Sequence, residues 1–261
     1  MTRLWTADYS TGNFNQWNTV LNKYRYTAGY DYPRTGLYPA QIVSDDPDGG
    51  YCVRVEVRDG DVPSGFPTGD RCEMIASAGS AAAVGTTRWY AFSIKFDSTF
   101  PNNHAELGWG NVTQFHDLPG GAGSPVIGFG WPVADSDGYR AGYWYLNQAP
   151  QSAPLVYTGD ALPIAELPMR LGEWQDIKLR VVWKQDTTGT VQLWVDGERQ
   201  TFTEAAGGGT TFTGQTVCPS GGGHTITGVQ VQQGYYRQTT ITETGIVYYK
   251  GTRMADSEAS L

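Results

Sequence analysis

The chain is poor in positive charge. Across 261 residues, 18 Lys and Arg stand against 26 Asp and Glu, a formal net charge of −8. Nucleic-acid binding rests on clustered cations, so this balance argues against a nucleic-acid partner and makes a heavily sulfated polyanion a poor one. The exclusion is global rather than local. Charges more than about 8 Å apart are largely screened at physiological salt, and a basic groove can sit on an acidic protein. Histidines number three and cysteines three. They form no CxxC motif and no Cys/His cluster, so no zinc site is expected. Cys52, Cys72 and Cys218 read as buried thiols, with a Cys52–Cys72 bridge as the alternative if their strands pair. No run of about 18 apolar residues occurs, which leaves no helical membrane span and no expected membrane partner. Met1 to Trp5 carries no apolar leader. Long helical periods, repeats and compositional breaks are missing as well. One domain over residues 1–261 is expected, with 251–261 as a frayed tail.

What the chain has in quantity is β-forming and turn-forming residues: 16 Tyr, 9 Trp, 9 Phe, 34 Gly and 14 Pro. Alternation of period two marks the strands. Val53, Val55 and Val57 fall on one face and Arg54, Glu56 and Arg58 on the other. Further strands are expected over 70–77, 88–96, 126–131 and 139–146. In 174–183, Ile177, Leu179, Val181 and Trp183 share a face, and Lys178 and Arg180 read as the solvated back. Gly189 to Val195 runs into an Asp196-Gly197 hairpin turn. The Gly-rich stretch 207–223 reads as a flexible segment with little core potential. The last strands fall at 226–237 and 240–250. Short alternating strands joined by Gly/Pro turns define an all-β fold, a concanavalin-like jelly-roll sandwich of two antiparallel sheets with one concave groove.

Three strands carry polar residues where a one-sided sheet would meet a ligand. In Asp70-Arg71-Cys72-Glu73-Met74, Arg71 and Glu73 share a face. In Gln114-Phe115-His116, Gln114 and His116 project together while Phe115 turns to the core. In the third, Gln230, Gln232, Gly234, Tyr236 and Gln238 fall opposite Val229 and Val231. A row of carboxamides and a phenol is unusual for a merely solvated face, and suits the hydrogen bonding of sugar hydroxyls and carboxylates. His104 and His224 lie in loop sequence and read as incidental.

The ordered set R-x-E (Arg71, Glu73), Q-x-H (Gln114, His116) and G-x-Y-x-Q (Gly234, Tyr236, Gln238) resembles the jelly-roll polysaccharide lyases, which include alginate lyases and heparin-lyase-I-type enzymes. The stretch from Trp174 to Gly197, with Trp174-x-Asp176, Trp183 and Val191-x-Leu193-Trp194-Val195-Asp196-Gly197, is more similar to the heparin-lyase branch. The resemblance spans most of residues 50–250. It implies a catalytic group of Arg71, Gln114, His116 and Tyr236, with Glu73, Gln230, Gln232 and Gln238 as substrate-binding residues. It implies an acidic polysaccharide as partner, no required cofactor, and a structural calcium in some relatives, for which the Asp45–Asp48 and Asp135–Asp137 turns are weak candidates. Extracellular or virion-associated placement goes with such a role. Two departures matter. Ile75 stands where the alginate-lyase motif has a second arginine, and Gln232 where both branches commonly have lysine. Fewer groove cations favour a polyuronate whose only charges are carboxylates.

β-Elimination at a uronate removes the C5 proton, α to the carboxylate. That proton becomes acidic only when the carboxylate charge is neutralised, which suits Arg71, Gln114 and a hydrogen-bonding His116. An acid must then protonate O4. Tyr236 can serve as acid and, for one stereochemical course, also as base; His116 is the alternative base. Two competing readings are a non-catalytic carbohydrate-binding sandwich, such as an adhesion or phage tail module, and a glycoside hydrolase. The hydrolase requires two carboxylates flanking the bond, and the E-x-D-x-x-E signature of lectin-like hydrolases is absent.

Overall fold

Valine alternation and aromatic-rich strands pair here into two facing antiparallel sheets. The computed structural model describes residues 2–24, 38–44, 49–65, 68–102, 107–118, 125–131 and 139–261. His104, the 45–48 and 135–137 turns and most of the 119–125 loop lie outside them.

The outer sheet runs edge to edge through Glu198–Arg199, Gly189–Val195, Trp174–Val182, Thr87–Phe96, Gly245–Ala255, Cys52–Val57 and Ala40–Val43. Arg3–Ala7 pairs with Gly245–Ala255, and Phe212–Gly214 with Gly189–Val195. The groove sheet runs through Leu162–Pro168, Tyr143–Gln148, Ile127–Trp131, Gly110–Leu118, Gly228–Arg237, Asp70–Ile75 and Thr19–Leu21. The jelly-roll expectation holds.

The core lies between the sheets. Val53, Val55, Val57, Ile94, Leu179, Val181, Phe115 and Trp144 are all essentially inaccessible. Rings from the two sheets meet across it: Tyr90 with Phe115 at 4.9 Å, Phe92 with Phe129 at 5.9 Å and Phe96 with Trp144 at 5.2 Å between centroids. Such contacts contribute roughly 0.5–1.5 kcal/mol each beyond the buried area. The Asp196-Gly197 turn has φ of 52° and 84° at its two residues, the left-handed pair that a two-residue hairpin needs.

Several expectations need correction. The segment 251–261 is not a frayed tail. The strand continues to Ala255, pairs there with Arg3–Ala7, and buries Met254 and Ala255. The Gly-rich stretch contributes to the core through Phe212, Val217 and Cys218, because Phe212–Gly214 adds to the sheet edge and Thr216 Oγ1 donates to the Val182 carbonyl at 2.9 Å. The strand expected from Tyr139 begins at Tyr143, after a turn at Gly142. Cys52, Cys72 and Cys218 are buried thiols outside any disulfide; the strands of Cys52 and Cys72 lie in opposite sheets and do not pair.

Candidate active site

Gly228–Arg237 lies near the centre of the groove sheet, between Gly110–Leu118 and Asp70–Ile75. Its alternation is the one read from sequence. Val229, Val231 and Gln233 are buried toward the core, Gln233 accepting a hydrogen bond from Thr252 Oγ1 at 2.7 Å. Gln230, Gln232, Gly234 and Tyr236 face the groove. Register brings Gln230 opposite His116, Gln232 opposite Gln114 and Ile75, Gly234 opposite Glu73, and Tyr236 opposite both Arg71 and Asn111.

Four of the residues named from sequence form one connected cluster. The Arg71 guanidinium lies over the Tyr236 ring at 3.5 Å and 3.6 Å from Glu73 Oε2. Arg71 Nη2 also donates to Thr68 Oγ1 at 2.9 Å. Gln114 Nε2 donates to Glu73 Oε1. An amide nitrogen carries two hydrogens, so the second N–H of Gln114 remains for a ligand. Glu73 is buried. Burial raises its carboxyl above the usual range, while Arg71 and the Gln114 amide oppose that rise. Its geometry is that of an orienter, holding the guanidinium and the carboxamide in place. The Tyr236 hydroxyl donates to the Thr68 carbonyl at 2.9 Å and meets Thr68 Oγ1 at 3.0 Å. Trp109 packs edge-on against the Tyr236 ring at 4.6 Å.

His116 shares the face but stands apart from this cluster. It sits opposite Gln230, six residues along the strand from Tyr236, roughly 20 Å of backbone at ~3.3 Å per residue. The Tyr236 hydroxyl turns toward Thr68 rather than toward His116. A carbonyl can only accept, so the 3.2 Å contact of His116 Nδ1 with the Asp117 carbonyl puts the proton on Nδ1 and leaves Nε2 with a lone pair. Burial and the Arg71 charge hold the imidazole below its usual 6.5, against the Asp117 contact. Gln238 lies past the end of the strand. Its backbone N–H donates to the Trp109 carbonyl at 3.0 Å, and its side chain rests near Gly108 and Thr240.

A cleft beside the cluster, bordered by its Gln114 and Tyr236, has a volume of about 400 Å³. Tyr236, Gln114, Asn111, Trp109, Trp131 and Asn147 are among its lining residues. Asn111 and the tryptophans escaped the sequence reading. Strict alternation separates Asn111 from Gln114, three residues later. A β-bulge between Asn111 and Thr113 turns both Val112 and Thr113 inward and returns Asn111 to the groove face. Gly130 and Gly234 keep the floor low: a Cβ at either would stand 2.1 Å and 2.0 Å from a carbonyl oxygen of the neighbouring strand.

This sheet face brings glycines, carboxamides, a phenol and a guanidinium together beside one cleft. Residues 9–253 match the family model described as polysaccharide lyase, and the chain belongs to that family. No protein of curated function matches it by sequence. Solved structures share the fold at low identity. The endo-β-1,4-glucuronan lyase from the fungus Trichoderma reesei gives a TM-score of 0.68 at 15% identity, covering 99% of this chain and 98% of its own. Alginate lyase A1-II′, a member of polysaccharide lyase family 7, gives 0.59 at 14%, covering 95% and 98%. The catalytic domain of a glycoside hydrolase family 131 protein from Coprinopsis cinerea gives 0.61 at 12%, covering 99% and 96%. At these identities the likeness is one of fold, and that fold carries both lyases and a hydrolase. The family match assigns the enzyme class: this is a polysaccharide lyase.

Proposed function

We propose that the enzyme cleaves a polyuronate with carboxylates as its only charges, by β-elimination centred on Tyr236. The observation that carries this is the continuous Arg71–Glu73–Gln114–Tyr236 cluster on the groove floor. A substrate carboxylate held by Arg71 and the second Gln114 N–H loses effective charge, which stabilises the carbanion left when the C5 proton departs. Asn111, opposite Tyr236, adds a further donor. The C5–H electron pair forms the C4–C5 double bond, the C4–O4 bond breaks, and O4 takes a proton. Tyr236 carries both transfers, its hydroxyl giving its own proton to O4 as its oxygen takes the one leaving C5, which requires the two to lie on one face of the sugar. His116, farther along the groove, contacts a neighbouring sugar through Nε2. Gln230 and Gln232 bind hydroxyls along the same track, and Gln238 borders its Tyr236 end. The groove residues at 75 and 232 are Ile and Gln rather than cations, which supports a carboxylate-only chain. Names of two similar folds, a glucuronan lyase and an alginate lyase, point the same way.

The test is the ultraviolet absorbance of new unsaturated uronyl ends on polyglucuronate, polymannuronate and polyguluronate. Wild type produces them on at least one polymer. Tyr236→Phe, which removes one hydroxyl, lowers kcat by about 10²–10⁴-fold, whereas His116→Ala acts mainly on KM. Equal losses of kcat in the two variants would overturn the assignment of both transfers to Tyr236.

A further inference from the structure

The outer sheet carries a second cleft, on the face turned away from the catalytic groove. Its volume is about 750 Å³, and its floor is built from the small side chains Ala91 and Ser93. Arg3, Lys178, Lys250 and Arg253 line it against two carboxylates, Asp8 and Asp176. The local sign is therefore opposite to the net charge of −8. Lys178 is partly engaged, with Glu258 at 2.5 Å. Arg3 and Arg253 sit close enough that, together with burial, the Arg3 charge depresses the Arg253 guanidinium. Crowding like charges costs energy that a bound anion relieves.

Aromatic rings flank those cations in register. Trp194, Lys178, Ala91 and Arg253 form one row across four strands, and Trp174, Lys95 and Tyr248 a second. Lys178 lies 4.6 Å from the Trp194 centroid, and Lys250 4.9 Å from that of Trp174. Trp194 also stacks on Trp89 at 5.5 Å. The two rows lie four residues apart on Trp174–Val182, about 13 Å at ~3.3 Å per residue, a span that an extended sugar chain crosses with a few units. Rings for the C–H faces of pyranoses, with ammonium and guanidinium groups beside them for carboxylates, suit an acidic polysaccharide better than a neutral one.

We propose that this outer cleft is a second, non-catalytic binding site for a carboxylate-bearing polysaccharide, holding a distant segment of the polymer cleaved on the opposite sheet. The identity of that polymer rests on the function proposed above; the charge and ring pattern do not. The test uses Tyr236→Phe protein run in native gels containing polyglucuronate, or alginate if that is the polymer wild type cleaves. Adding Lys178→Gln and Lys250→Gln weakens retention about tenfold, and Lys178→Glu with Lys250→Glu weakens it further. Gels containing dextran show no retention in any variant. In otherwise wild-type enzyme the Gln pair raises KM for the polymer and leaves cleavage of a tetrasaccharide unchanged, which also verifies the fold. Unchanged polymer retention, parallel loss on the tetrasaccharide, or equal dependence of DNA retention on the two lysines would overturn the site. If wild type releases no unsaturated ends from any polyuronate, the proposed reaction fails by itself. Lysine-dependent retention would then still establish the outer site.

Discussion

Two arginine–carboxylate pairs sit next to each other and do different work, Arg71–Glu73 within Asp70–Ile75 and Arg237–Asp70 between that strand and Gly228–Arg237. Arg71 and Glu73 face the groove; Arg237 and Asp70, one register step away, face the core. Both pairs are separated by 3.6 Å. The core pair is completely inaccessible, whereas Arg71 keeps 11% of its side chain exposed. Arg237 Nη1 donates to the Glu243 carbonyl, and burial still pushes the Asp70 carboxyl up despite the arginine. A guanidinium sealed in the core beside a buried carboxylate serves the fold. One laid over a tyrosine ring at the edge of a cleft can serve a ligand. Strand alternation alone separates the two roles.

Breaking each pair should separate folding from catalysis. The largest effect is expected from Arg237→Ala, which leaves Asp70 buried without its cation and costs about 3–5 kcal/mol of stability, read as the shift in a urea midpoint. Arg71→Ala leaves Glu73 with the Gln114 bond, so it should shift that midpoint less than Arg237→Ala does, and lower kcat/KM on the cleaved polyuronate about 10²–10³-fold. A midpoint shift as large as that of Arg237→Ala would show that Arg71, too, belongs to the scaffold.

Smaller, pH-dependent effects sharpen the contrast between groove and core at the neighbouring residues His116 and Asp117. Asp117 is fully buried, and burial pushes its carboxyl from 3.8 up to about 7, against a backbone bond from Cys218. A raised folded-state value means that stability is fully present below pH 3.8 and is lost as pH climbs through about 7. Asp117→Asn should flatten that fall in a series of melting curves. His116 has the opposite sign. Its value is depressed below 6.5, so its contribution is intact above that pH and is lost on acidification. His116→Asn should remove this acid-side slope while leaving the Asp117 slope in place.

The groove face was legible in sequence where alternation is undisturbed. Gln230, Gln232 and Tyr236 against Val229 and Val231 gave the groove side of the central strand, and Arg71 with Glu73 that of its neighbour. Asn111 was hidden because a bulge breaks the period on which the reading relies. Trp109 was hidden because its partner, Tyr236, lies 127 positions further along the chain. The separation of His116 from Tyr236 is a matter of register between strands, which neither strand encodes alone. The end of the chain was misread for the same reason: Gly251 and the polar residues after Lys250 look like a terminus until Arg3–Ala7 is laid beside them.

That pairing has a consequence for how the molecule comes into being. Gly245–Ala255 lies inside its sheet, between Thr87–Phe96 and Cys52–Val57, and Gly228–Arg237 lies inside the other. Each must slot between strands that come long before it in the sequence. Such long-range pairing folds slowly. The groove sheet has no centre until Gly228–Arg237 is in place, so a fragment that stops short of that strand should show no partial structure of the groove.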